Sequence, residues 1–156
     1  MSTEHLITVV AEADLEDLLP LLRGYCEFYE VDPSDEALLD VSRALIADHE
    51  REGLQLIARR VGGDGVSAVG VATVYWTWQT LAASRLGVMN DLFVAEAARG
   101  TGLAERLIAA CRERCAEHGA RELAWQTAKD NYRAQKVYDR IGGRKSEWLD
   151  YSLPVQ

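Results

Sequence analysis

Cysteine, histidine and proline each occur only three times in this 156-residue chain, and phenylalanine and methionine only twice. An odd number of cysteines (Cys26, Cys111, Cys115) argues against a disulfide framework as the source of the fold. The histidines His5, His49 and His118 are scattered, with no metal-ligand spacing. Cys111 and Cys115 lie one helical turn apart and come nearest to a metal site if His118 shares their face. Small buried apolar residues on a helix account for them as well, and no metal is expected. Apolar runs are short too. The longest, such as "LGVM" and "LITVVA", fall far below the roughly 20 residues that a membrane span needs. Basic side chains are outnumbered 17 to 25, which leaves a net charge of −8. Such a chain has little electrostatic reason to approach nucleic acid or anionic lipid, whereas a cationic ligand is permitted. The start "MSTEHLITVV" shows neither a basic n-region nor a small-residue cleavage site, and cytoplasmic residence is the expectation.

What remains is ordinary globular material: 48% hydrophobic and 27% charged residues, enough to bury a core in one domain spanning residues 1–156. "LITVV" predicts a first strand, and Asp14 a capped helix to about residue 29, kinked or delayed by Pro20. "VDPSDE" is a turn from which Ser34 or Asp35 opens a second helix, to about residue 50. "LQLIARRV", the turn "GGDG" and "VSAVGVATVYWTW" read as a hairpin. "QTLAASR" is a loop before the strand "LGVMNDLFV". A helix to about His118, the strand "RELAWQT", the helix "NYRAQKVYDRI" and a closing strand "SEWLDYSL" complete the order β-α-α-β-β-β-α-β-α-β. That order predicts an α/β fold, a mixed twisted sheet with helices on both faces.

Within it, "ARGTGLAERLIA" places two glycines and an arginine where a helix must begin. Glycine is a poor helix residue, but it lets backbone amides close around an anion at the positive end of a helix. A plain tight turn is the alternative. The stretch is no Walker loop, since no Gly-Lys followed by Ser or Thr occurs. Nor is it a dinucleotide fingerprint, because Glu105 stands where a small residue is required. The remaining pattern is Arg-x-x-Gly-x-Ala, from Arg99, Gly102 and Ala104, directly after the strand "NDLFV".

"NDLFVAEAARGTGLAERLI" resembles the acetyl-CoA-binding motif of the GNAT superfamily of N-acetyltransferases, and "NYRAQKVYDRIGG" resembles that superfamily's later Asn-x-x-Ala segment with its tyrosine and Gly-terminated helix. The likeness covers essentially the whole chain and implies a GNAT-like acyl-CoA N-acyltransferase fold. It implies that the main-chain amides of Arg99, Gly100, Thr101, Gly102, Leu103 and Ala104 hold the diphosphate of acetyl-CoA. Leu92, Phe93 and Val94 would offer strand backbone to the pantetheine. Asn131 would bond near that arm or cap the last helix, and Tyr138 would stand beside the sulfur. Family members often form dimers, so a homodimer is implied as well.

The chemistry such an enzyme needs can be stated from first principles. An alkyl amine with a pKa of about 10.4 is neutral in only about one molecule in 2,500 at pH 7, a deficit of about 4.6 kcal/mol unless a base takes its proton. The leaving thiolate needs a proton, which a phenol can give; this favours Tyr138 as general acid, although its spacing with Ala134, Val137 and Ile141 equally suits a core tyrosine. "YWTW" and "MNDLFV" resemble the spermidine/spermine and thialysine (diamine) acetyltransferase branch, which carries an acidic pair before Phe-Val. Here Asn90 occupies the first acidic position and Asp91 the second. Asp91 is the candidate base, with strand alternation predicting that it faces away from Asn90, although a carboxylate that satisfies nearby backbone amides accounts for it equally well. "YCEFYEV" resembles the first helix of the fungal histone/polyamine acetyltransferases. Tyr25, Glu27, Phe28, Tyr29, Glu30, Trp76 and Trp78 are therefore the candidate acceptor residues, suited to a polyamine, diamine or lysine-like small molecule by charge and cation–π contact. A solvated helix face is the plainer reading of the acids. A protein lysine, an amine antibiotic or a catalytically silent acyl-CoA-binding module remain alternatives.

Overall fold

Hydrophobic alternation through the middle of the chain becomes one continuous sheet. The computed structural model describes residues 4–63 and 65–156, in two compact units, Met1–Gln126 and Thr127–Gln156. In the first unit, β1 (Glu4–Val9), β2 (Gly53–Gly62), β3 (Gly65–Gln79), β4 (Ser84–Val94) and β5 (Ala120–Ala124) lie side by side in chain order. Neighbours are antiparallel until β5, which joins β4 in parallel because a helix carries the chain back between them. The β2–β3 hairpin closes on the pair Gly62 and Gly65; Asp64 of the expected "GGDG" turn lies outside the described residues.

Three helices accompany the sheet: α1 (Leu15–Phe28), α2 (Asp35–Ala47) and α3 (Leu103–His118). Adjacent residues of β3 identify the two faces. Val71 clusters with Leu18, Leu22 and Ile57, whereas a Cβ on Gly70 would meet Leu103 and Leu107 of α3 at 3.3 and 3.1 Å. Successive residues of a strand point oppositely, so α1 and α3 cover opposite faces. Leu107, Ile108, Cys111 and Cys115 are buried along α3, and Leu15, Leu18, Leu21 and Leu22 along α1.

Several expectations need correction. Asp14 stands at the start of α1, but its carboxylate accepts the Ala11 N–H at 2.8 Å and pairs with Arg59 at 2.8 Å instead of capping the helix. The helix continues through Pro20. Ser34 does cap α2, accepting the Ala37 N–H at 3.1 Å. That helix ends at Ala47, where Asp48 turns its side chain to the Arg51 N–H at 3.2 Å. β4 begins at Ser84, paired with Gln79, so the preceding loop is tighter than expected.

In the second unit, α4 (Tyr132–Arg140) is capped by Asn131, whose Oδ1 accepts the Ala134 N–H at 3.2 Å. It ends on left-handed Gly142 (φ 85°), with the Gly143 N–H bonded to the Tyr138 carbonyl at 2.8 Å. The expected closing strand does not form: residues 143–156 are neither helix nor strand. Apolar residues in "SEWLDYSL" supply propensity, but a strand exists only once its backbone groups find a partner.

Candidate active site

The glycines of the "ARGTGLAERLIA" stretch stand in the conformation that only glycine adopts readily. After β4 a 3-10 turn (Glu96–Ala98) leads into the loop, where Gly100 and Gly102 have φ of 74° and 79°. Thr101 Oγ1 donates to the Ala98 carbonyl at 2.6 Å, and Arg99 Nε to the Val94 carbonyl at 3.1 Å, which pins the loop to the end of β4. Gly102 occupies the cap position of the 16-residue helix α3 without any side-chain cap bond, so the helix start, at Leu103 and Ala104, suits an outside acceptor. A Cβ at Gly100 or Gly102 would meet nothing within 4 Å. The space before the helix is open, and an anion has room to approach the amides.

Beside this loop, β4 loses its neighbour. Its pairing with β5 consists of Arg85 with Ala120, Gly87 with Leu123 and Val88 with Ala124, while β4 itself runs on to Val94. Residues 89–94 therefore offer one edge of strand backbone with no β5 partner, the Val94 carbonyl already taken by Arg99. A bulge marks the divergence. Thr73 pairs with Asp91 and Val74 with Met89, which leaves Asn90 without an opposite residue. Alternation predicted that the Asn90 and Asp91 side chains diverge. The bulge instead brings them together, Asn90 Nδ2 donating to Asp91 Oδ1 at 3.2 Å.

Asp91 is only 8% exposed. Its other oxygen accepts from Thr73 Oγ1 at 2.5 Å, and Thr73 accepts in turn from Gln55 Nε2 at 3.1 Å. Burial disfavours the charged form and raises the Asp91 pKa above the ordinary carboxylate value, against the opposing pull of the Thr73 and Asn90 bonds. The same carboxylate acts on nearby phenols. Burial first and Asp91 second raise Tyr75 to about 12, and push Tyr25 upward in the same way. Tyr25 reaches over from α1, its hydroxyl donating to the Asn90 carbonyl at 3.2 Å.

From Tyr25 the aromatic rings continue outward. Tyr25 and Tyr29, and then Tyr29 and Phe28, meet edge to face with centroids 5.1 Å apart in each pair. Phe28 and Tyr29 are exposed, as are Glu27 and Glu30. Glu30 ends α1 in the left-handed region (φ 58°), an unusual conformation for a side-chain-bearing residue. Two further acids beyond α1 are already engaged, since Arg23 binds Asp32 at 3.0 Å, Asp35 and the Pro33 carbonyl. Trp76 and Trp78 stand elsewhere. Trp76 is buried and stacks on His118, at the end of α3, with centroids 4.1 Å apart, and Trp78 lies exposed under the Arg85 guanidinium at 4.8 Å. Neither ring is brought to Tyr25.

The Acetyltransferase (GNAT) family model matches residues 15–143. The chain belongs to the GNAT family. It is similar to an uncharacterized N-acetyltransferase, YhfO, of Bacillus subtilis strain 168, at 29% identity over 92% of this chain and 93% of that protein. Its fold is similar to that of a probable acetyltransferase (TM-score 0.80, 28% identity, 97% of this chain and 98% of that one). It also resembles the fold of the aminoglycoside N-acetyltransferase AAC(6')-Iy in complex with CoA (TM-score 0.83, 23% identity, 99% and 97% of the two chains).

As a GNAT acetyltransferase, the protein uses acetyl-CoA to acetylate an amine. The uncapped α3 terminus fits a diphosphate and the unpaired β4 edge fits an amide-bearing arm, so both halves of the coenzyme have a complementary surface. Among the described residues, no group of three His, Cys, Asp or Glu is arranged to hold a metal ion, and no helix is long and apolar enough to cross a membrane. Cys111 and Cys115 are buried thiols raised by burial to about 12 and about 11, far from thiolate reactivity. Sequence reasoning missed Gln55, Thr73 and Tyr75. The available signal was a glutamine and a threonine set inside the apolar runs "LQLIA" and "VATVYW", where a polar residue must find a buried partner.

Proposed function

We propose that the acceptor is a small cationic amine, a polyamine, diamine or lysine-like molecule, and that Asp91 is the base that takes its proton. The observation carrying this reading is the nearly buried Asp91 under the β4 bulge, joined through Asn90 and Tyr25 to an exposed aromatic and acidic surface made by Phe28, Tyr29, Glu27 and Glu30. A carboxylate whose pKa burial has raised above the ordinary value is a stronger base than an exposed one. The rings and carboxylates favour a cation by charge and by cation–π contact.

In this reading the amides of residues 99–104 hold the diphosphate, and Leu92, Phe93 and Val94 align the pantetheine. The amine nitrogen attacks the acyl carbon as its proton passes to Asp91, and the carbon–sulfur bond breaks. The sulfur takes the phenolic proton of Tyr138. Asn131, whose side-chain oxygen caps α4, has its amide nitrogen to offer the coenzyme arm. A homodimer belongs to the same reading and is checked by light scattering. An amine antibiotic is the second acceptor to consider, since folds of aminoglycoside acetyltransferases are similar to this one. Thiol release from acetyl-CoA, measured against polyamines, diamines, amino acids, lysine peptides and aminoglycosides, separates these acceptors. Highest kcat/KM on an aminoglycoside or peptide overturns the small-amine reading.

A further inference from the structure

Asp91 is served by a hydrogen-bond chain whose members can each reverse direction. Gln55 on β2, Thr73 on β3 and Asp91 on β4 stand opposite one another across three neighbouring strands. Gln55 and Thr73 are 3% and 0% exposed, so any hydrogen bond they make has to come from inside the protein. Gln55 Oε1 has no hydrogen-bond partner among the described residues, although it is fully buried. An orphaned buried acceptor is costly, and this one lies at the end of a chain that leads to a titratable group.

A hydroxyl both donates and accepts, and a side-chain amide presents a donor at one end and an acceptor at the other. With Asp91 ionised, every donor runs toward it: the Gln55 amide N–H to Thr73 Oγ1, and the Thr73 hydroxyl to Asp91 Oδ2. With Asp91 protonated, its own O–H donates to Thr73 Oγ1. The Thr73 hydrogen then turns toward Gln55, whose amide turns over to accept it with the oxygen that is otherwise orphaned. We infer that Gln55 and Thr73 are positioning residues, forming a reversible hydrogen-bond switch that keeps Asp91 in place in both of its protonation states. The inference rests on the reading of Asp91 as the base, which must take up and lose a proton in each turnover.

Among the described residues, titratable groups that feel Asp91 include Tyr25 and Cys26 from α1, Tyr75 from β3 and Cys111 from α3. All four are held in their neutral forms by burial, so the Thr73 and Asn90 bonds are what stabilise its charge.

The test is the Asp91 pKa, read by carbon-13 NMR of the side-chain carboxyl, alongside the pH profile of kcat/KM. Thr73→Val removes the donor to the ionised form and is expected to raise the Asp91 pKa by about one unit. Thr73→Ser, which keeps the hydroxyl, restores the wild-type pKa. Gln55→Met, of similar size but unable to reverse, raises it by a smaller amount and decides the matter alone if Thr73→Val does not fold. The acid limb of kcat/KM is expected to move with the carboxyl. An Asp91 pKa unmoved by Thr73→Val, or Gln55 side-chain amide resonances (nitrogen-15 NMR) that do not follow the Asp91 titration, overturns the switch. A Gln55 side-chain amide that follows the Asp91 titration while the acid limb stays put upholds the switch and removes Asp91 as the base.

Discussion

The Tyr25 hydroxyl donates to the main-chain carbonyl of Asn90 at 3.2 Å, fastening α1 to the bulge of β4. Asn90 is the residue that the ladder skips, so this bond holds the unpaired part of the strand in position next to Asp91. Tyr25→Phe keeps the ring and removes only the bond. A lost hydrogen bond of this kind costs about 1 kcal/mol, which lowers Tm by about 2–4 °C in a protein of this size. Activity is expected to fall by about fivefold or more in kcat/KM, since misplacing the base raises the barrier as well. Steady-state kinetics beside thermal melting checks this; an unchanged rate shows that the bulge holds its place without α1.

Glu30 carries a conflict between stability and binding. Its left-handed backbone is one that glycine adopts freely, and a non-glycine residue there costs about 1 kcal/mol or more. Glu30→Gly is expected to raise Tm while raising KM for a cationic amine, because the carboxylate goes with the strain. A lower Tm contradicts the backbone account, and an unchanged KM removes Glu30 from the acceptor surface.

Much of this was legible in the sequence and some was not. The order of elements through α4 follows from apolar periodicity within each one, and the α3 start and the α4 cap and stop follow from residues whose chemistry is local: Gly100, Gly102, Asn131 and Gly142 act on their own few neighbours. The relation of Asn90 to Asp91 was misread because a bulge is a property of two strands, and nothing in "MNDLFV" alone reveals which residue the partner will skip. The surroundings of Trp76 were illegible for the same reason: its ring packs with whichever helix covers that face, and only tertiary packing brings His118 onto it. The tail "SEWLDYSL" carries a strand's composition without a partner in the fold.

Asp91 makes stability depend on pH in a definite direction. Its folded-state pKa lies above the unfolded value, so the folded protein binds the proton more tightly. The stability this contributes is fully present below the unfolded pKa and is lost as pH rises through the folded one. Asp91→Asn removes the ionisation. Its Tm relative to wild type is expected to be higher at pH 8 than at pH 4, while kcat falls by about a hundredfold or more at neutral pH. A Tm difference that does not change with pH contradicts the raised pKa.

Tyr138→Phe separates binding from chemistry. Acetyl-CoA affinity by calorimetry is expected to stay within about twofold, while kcat drops by about a hundredfold, the usual contribution of a general acid. Unchanged turnover excludes Tyr138 as the proton source.

Gly102→Asp places a side chain and a negative charge in the open space before α3, at a residue with φ 79°. Acetyl-CoA is expected to bind at least about tenfold more weakly, read by calorimetry. Gly102→Ala, which adds a methyl group and no charge, should lose less. Equal losses point to backbone strain as the sole cause.

The most direct test of the whole account is a crystal structure of the protein with acetyl-CoA. The diphosphate oxygens should lie within hydrogen-bond distance of the main-chain amides of residues 99–104, with the pantetheine against residues 89–94 and the acyl carbon facing the Asp91 side of the bulge. A coenzyme bound elsewhere, or a diphosphate held by side chains alone with those amides bare, contradicts it.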